Sequence, residues 1–198
     1  MAPLRAAELR DCRFVFEVRN LLDVRQASIT LGTIPYSHHV DWYDSRISES
    51  PHHLWIIEHR DNKCGYVRVD RLVTPGDREA VYCRRADRQW VGRVSVALRP
   101  SCRGRGLGLE ALRELVAVLP DSLLIAAVKS DNVDSQRLFR RAGFRAYRDG
   151  TYRFRRRMPD GSRRVEWTRD RFAHDLATVI ERTGPFDDLV YPKDVLQP

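Results

Sequence analysis

Lysine is almost missing from this chain. Of 35 basic residues only Lys63, Lys129 and Lys193 are lysine; the rest are arginine. Methionine (2) and cysteine (4) are also scarce. No stretch approaches the ~18 apolar residues that a spanning helix needs, so the reading is a protein with no membrane segment. The first dozen positions carry Arg5, Glu8, Arg10 and Asp11 and no apolar segment with a cleavage site, so no secretory signal is expected. Cys12, Cys64, Cys83 and Cys102 form no C-x-x-C pair and share no ligand spacing with histidine. Neither a disulfide framework nor a metal site is expected, and the thiols read as free in a reducing, cytoplasmic compartment.

What is present suits one globular core. The 198 residues are 42% hydrophobic and 31% charged, which is too apolar for wholesale disorder. The net charge of +8, carried by arginine forks, fits a polyanionic ligand such as a nucleotide, a phosphorylated cofactor or nucleic acid. A soluble basic surface with an arginine bias is the plainer reading.

Patterning predicts a helix from Leu4 to about Asn20 and another over 40–47, between Pro35 and Pro51. Residues 54–59 and 65–70 read as a hairpin about the turn 61–63. The polar stretch 74–87 reads as a long connection with a short strand at 80–83. Strands are then expected at 90–98, 123–128 and 144–148, and helices over 107–119 and 132–142, the last closed by Gly143. Residues 150–157 and 165–168 read as paired strands. An amphipathic helix over 172–182 and a proline-containing tail complete the chain. The order implies a mixed α/β sheet with one β-α-β unit.

The segment that carries chemistry is a strand running into Arg103-Gly104-Arg105-Gly106-Leu107-Gly108, which opens a helix. Glycines expose consecutive N–H groups, and the helix start adds unpaired donors and partial positive charge, so the turn is built to cradle a pyrophosphate. The spacing matches neither G-x-G-x-x-G nor a Walker loop. It is Arg-x-x-Gly-x-Gly, and after a strand it resembles the acetyl-CoA loop of the GNAT N-acetyltransferase superfamily. A second segment, Asn132-x-x-Ser135-x-x-x-Phe139-x-x-x-Gly143-Phe144, resembles that family's next motif and follows in the right order.

The resemblance covers about Leu4 to Thr168. It implies a mostly antiparallel central sheet with a splayed parallel strand pair and flanking helices. It implies acetyl-CoA as co-substrate, held by Val96 and Leu98 on the strand, by Arg103, Gly104, Arg105, Gly106, Leu107 and Gly108 at the turn, and by Asn132, Ser135 and Phe139 on the following helix. Asn132 also suits an N-cap. The family's usual tyrosine acid is replaced by Phe139, so the thiolate leaves unassisted or takes its proton from Ser135, Tyr147 or Tyr152. On this reading residues 1–169 form the acetyl-CoA-dependent domain, and 170–198 a helix and tail.

The N-terminal half, with Arg19-Asn20, Arg25, Ser28, Ile34 and His39-x-x-Trp42, resembles acetyltransferases of amino-sugar nucleotides of the nonulosonic-acid type. The expected acceptor is a small-molecule amine met by Arg19, Arg25, Arg68 and Trp42, with His39 or Asp70 taking the amine proton. Three other functions stay open. One is acetylation of a protein amine or an antibiotic. Another is nucleic-acid binding through Tyr152, Arg153, Phe154, Arg155, Arg156 and Arg157, which is not the expected partner. The third is acetyl-CoA sensing without catalysis. The oligomeric state is open between monomer and dimer.

Overall fold

A computed structural model describes residues 4–28, 31–49, 53–71, 91–119, 123–149 and 164–169. The seven strands are β1 (Leu4–Ala6), β2 (Leu54–His59), β3 (Asn62–Arg71), β4 (Val91–Leu98), β5 (Leu123–Lys129), β6 (Phe144–Asp149) and β7 (Arg164–Arg169). They form one sheet in the order β1-β2-β3-β4-β5-β7-β6. Only β4 and β5 are parallel, as a strand–helix–strand crossover allows. The helices are α1 (Cys12–Asn20), α2 (Leu22–Ala27), α3 (Tyr36–Glu49), α4 (Leu107–Val118) and α5 (Val133–Arg141).

Strand alternation sends side chains to two cores. Trp55, Ile57, Val67, Val69, Val94, Leu124, Ala126 and Val128 pack against Leu107, Ala111, Leu112 and Leu115 of α4 and Phe139 of α5. On the opposite face Leu54, Ile56, Tyr66 and Ala97 meet Phe14, Val15 and Val18 of α1 and Tyr43 of α3. The mixed α/β architecture with a mostly antiparallel sheet is the one expected.

The N-terminal segment departs from expectation. Leu4–Ala6 is an edge strand on β2, with Leu4 opposite Ile57, rather than the start of a helix. The cause is Asp11, which is fully buried. It accepts a two-pronged contact from Arg5 (2.9 and 3.2 Å), Lys63 Nζ at 2.6 Å and the Glu8 N–H at 2.9 Å. Arg5 also reaches Glu58 at 2.8 Å. Holding Arg5 between Asp11 and Glu58 keeps its backbone extended. The helix of α3 begins four residues earlier than expected, because the Pro35 carbonyl accepts the His39 N–H at 3.0 Å. Residues 165–168 pair with β5 on one side and β6 on the other. The stretches 80–83, 150–157 and 172–182 lie outside the described residues. Among the described residues no helix is long and apolar enough to cross a membrane.

Burial alone would raise the Asp11 carboxyl, but Arg5, Lys63 and the Glu8 N–H outweigh it and hold it at about 2. Its folded value therefore lies below its unfolded one, and the stability it contributes is present above pH ~4 and lost as pH falls toward ~2. Asp11→Asn should cost about 2–3 kcal/mol at neutral pH, since its partners keep some water. It should also flatten the fall in melting temperature between pH 4 and 2. Unchanged melting curves across that range would refute the role.

Candidate functional site

The parallel ladder is short. Val91, Gly92 and Arg93 pair with Leu123, Leu124 and Ile125, and the pairing goes no further although both strands continue. The register on the other side shows which backbone groups this leaves open. β3 and β4 pair in one unbroken register, and the Arg99 N–H extends it by donating to the Cys64 carbonyl at 2.8 Å. In an antiparallel ladder, bonded and non-bonded pairs alternate. The N–H and C=O groups of Val94, Val96 and Leu98 therefore face the gap toward β5. The Leu98 carbonyl is taken by Arg103, from Nε at 3.1 Å and Nη2 at 2.8 Å. Val96 and the Leu98 N–H remain as hydrogen-bonding groups for an extended amide chain.

The gap leads to the glycine turn. Gly104 and Gly106 have φ of 72° and 81°, left-handed values that a side chain would disfavour. Gly106 starts α4, its carbonyl accepting the N–H groups of Leu109 and Glu110 at 2.9 and 3.0 Å. Gly104, Arg105 and Gly106 are exposed, and the N–H groups of Leu107 and Gly108 lie in the first turn, where a helix has no acceptor for them. The donor set fits an anion.

Several residues expected to touch a cofactor make contacts within the chain. The Leu107 side chain is buried in the core. Gly108 is buried, with Leu98 and Leu138 methyls each 3.4 Å from where its Cβ would be. Phe139 is buried edge-on against Phe144, with ring centroids 5.2 Å apart, as part of the core under α4. Asn132 caps α5, its Oδ1 accepting the Ser135 N–H at 3.1 Å. Arg103, expected to be a mobile phosphate ligand, is tied to Leu98 and ion-paired with Asp23.

On the α1/α3 face lies a cavity of about 140 Å³, lined by Val15, Arg19, Ile34, His38, His39, Trp42, Tyr66 and Arg68. Tyr66 and Arg68 pair with Ala97 and Ser95 of β4, so the cavity floor is one strand away from the gap. The structure thus brings four expected residues together: Arg19, His39, Trp42 and Arg68. His39 is buried between Phe16, Trp42 and Tyr43. Its Nε2 lies 3.1 Å from the Cys12 carbonyl, which can only accept, so Nε2 carries the proton and Nδ1 the lone pair. Burial, helped by Arg19 and Arg68, lowers its pKa against the opposing pull of that carbonyl. Burial and the neighbouring Arg68 and Arg25 likewise lower Arg19. Arg68 lies over the Trp42 ring at 5.4 Å, and its buried Nε makes no hydrogen bond among the described residues.

Two expected residues stand apart. Asp70 is held by Arg46 at 3.2 Å and Arg68 at 2.9 Å, one on each oxygen, and is not among the residues that line the cavity. Arg25 donates to the carbonyls of Asn20 (3.3 Å) and Leu31 (3.1 Å), so it shapes the loop instead of facing the cavity. Val15 and Tyr66 also line the cavity, and no motif in the sequence singles them out. Ile34 reaches the cavity because Asn20 grips its backbone at 2.9 and 3.2 Å.

A family model described as acetyltransferase (GNAT) family matches residues 20–144. No curated protein sequence matches the chain significantly. A ribosomal-protein-alanine N-acetyltransferase from Brucella melitensis superposes with a TM-score of 0.64 at 18% identity, over 84% of this chain and 98% of that one. For yncA from Salmonella typhimurium, solved with its cofactor acetyl-CoA, the values are 0.64, 20%, 83% and 91%. For the aminoglycoside acetyltransferase AAC(6')-Ib with coenzyme A and kanamycin they are 0.63, 19%, 88% and 98%. Identities this low establish a shared fold.

Gly65 is required where β3 meets the end of β4. An added Cβ would collide with the Ala97 carbonyl and sit 2.9 Å from the Leu98 Cα. Gly65→Ala should cost about 1–3 kcal/mol by forcing the strands apart. Gly32→Ala, whose Cβ meets nothing within 4 Å, is the control. Equal melting temperatures for the two variants would argue against the close approach.

Proposed function

The chain belongs to the GNAT acetyltransferase family and is an acyl-CoA-dependent N-acetyltransferase with acetyl-CoA as co-substrate; from that premise we propose that its acceptor is the primary amine of an acidic small molecule, of the amino-sugar nucleotide class. The observation that carries this reading is the convergence of Arg19 and Arg68 on one cavity, with a buried Arg68 Nε–H not yet matched to an acceptor. Two guanidinium groups held close favour an anion between them. Among the described residues no carboxylate lines the cavity; Asp70, outside that lining, pairs with Arg46 and with Arg68 Nη2, so what Arg68 offers a ligand is its Nε–H. A polycationic aminoglycoside would find nothing there to balance it. Trp42 offers a ring face for a sugar or base.

In this reading the glycine turn 104–108 and its N–H groups hold the diphosphate of acetyl-CoA, and Val96 and the Leu98 N–H pair with its amide arm. The thioester supplies the acetyl group. His39 Nδ1 takes the proton of the acceptor ammonium, directly or through one water, so that a neutral amine attacks. A base kept below its ordinary value by burial is already unprotonated at neutral pH. Phe139 has no proton to give, so release of the thiolate falls to solvent or to Ser135.

Thiol release should be measured with acetyl-CoA on amino-sugar nucleotides, aminoglycosides and peptide amines. The acidic acceptors should be preferred, and Arg68→Ala should raise their KM at least about tenfold, the effect of losing a charge-assisted contact, while leaving the affinity for acetyl-CoA unchanged. Preference for the cationic acceptors would sink the proposed class.

His39→Ala should lower kcat/KM about 100-fold or more. In the wild type, kcat/KM should hold steady down to the ordinary histidine value of 6.5 and fall only below it, because the His39 pKa is lowered. A variant that keeps the wild-type acid limb would show that another group is the base.

A further inference from the structure

The short helix α2 touches both limbs of the opened strand pair. Asp23 ion-pairs with Arg103, on the turn that follows β4. The Gln26 carbonyl accepts from Lys129 Nζ, at the end of β5, at 3.1 Å. Leu21, just before α2, lines a cleft of about 360 Å³ together with Glu17, Val18, Arg99, Pro100 and Ser101. The same element also reaches the acceptor cavity. Arg25 holds the Asn20 carbonyl, and Asn20 holds Ile34, a cavity wall. Only Val24 of α2 is buried, so the helix rests on the core by one side chain.

Arg103 shows what this strap competes with. Its Nε and Nη2 are fixed on the Leu98 carbonyl, which aims Nη1 at Asp23. The guanidinium stands at the entrance of the glycine turn, and its partner is a half-exposed carboxylate held at its other oxygen by the Val24 N–H at 2.9 Å. An exposed ion pair of this kind is weak. A diphosphate brings more charge and more oxygens to the same fork.

We propose that Asp23 stands in for the cofactor's diphosphate on Arg103, and that the diphosphate, by displacing it, loosens α2 and reshapes the acceptor cavity through Asn20 and Ile34. This rests on the reading that the glycine turn holds the diphosphate of acetyl-CoA. The two sites are then coupled, and the coupling is reciprocal. Asp23 sets the affinity for the cofactor without contributing to the chemistry.

The test is calorimetric titration of the full chain with acetyl-CoA and with CoA. Asp23→Asn keeps the Val24 contact and removes the competing charge, so both ligands should bind about three- to fivefold tighter. The gain should vanish in an Arg103→Gln background and shrink as salt is raised. In hydrogen exchange, amides of 20–34 should exchange faster when acetyl-CoA is added to the wild type. In Asp23→Asn they should be fast without it. Asp23→Ala is the second variant, and both should melt near the wild type, since the pair is exposed. An affinity within twofold of wild type, or a gain that survives in Arg103→Gln, overturns the proposal while acetyl-CoA binding itself stands. Exchange over 20–34 that ignores acetyl-CoA overturns the coupling. Failure of the wild type to bind acetyl-CoA at all overturns this proposal and the reading beneath it together.

Discussion

The parallel pairing of β4 with β5 stops at Arg93 and Ile125, and the rest of the molecule is arranged around that interruption. Backbone groups inside a sheet cost free energy when left without partners. The fold keeps them open by fixing each strand from its other side. β3 pairs along the whole described length of β4, with Gly65 letting the two backbones approach at the far end. β7 pairs with β5 out to Lys129. With both outer edges committed, the inner edges cannot drift together without breaking ladders elsewhere. The glycine turn then sits at the end of β4, where Gly104 and Gly106 take left-handed φ values and α4 begins.

Much of this was legible in the sequence. The strands at 54–59, 62–71, 91–98 and 123–129 and the helices at 107–118 and 133–141 carry strong periodicity or firm stops, and local pattern agrees with tertiary packing there. The first residues misled for a physical reason. Leu9, Phe14 and Val18 keep helical spacing, but the buried carboxylate of Asp11 gathers Arg5 and Lys63 from distant positions, and no local rule sees that. In the site, motif spacing located the glycine turn but not the contacts that each member makes. Arg103 and Phe139 fall inside the motifs, and the structure shows one donating to the Leu98 carbonyl and the other packed on Phe144. Spacing identifies where a backbone must go; which side chains then face solvent depends on neighbours far along the chain.

Five of the described arginines fall into two sets that composition could not separate. Arg5, Arg25 and Arg103 donate to carboxylates and carbonyls that hold the N-terminal strand, the loop after α2 and the turn after β4. Arg19 and Arg68 line the cavity on the α1/α3 face together with Trp42 and His39. A planar fork serves both sets because it satisfies several acceptors from one fixed geometry, which a single ammonium cannot do.

The two lysines in the described chain have a different consequence. Lys63 is held on Asp11 and Lys129 on the Gln26 carbonyl, each as a donor. Acetyl transfer needs a neutral amine with a lone pair to offer, and an ammonium fixed on an oxygen acceptor has none. The enzyme's own ε-amino groups at these positions are therefore poor targets for the reagent it handles. A chain that writes its positive charge in guanidinium, and keeps these ammonium groups engaged, is sheltered there from acetylating itself.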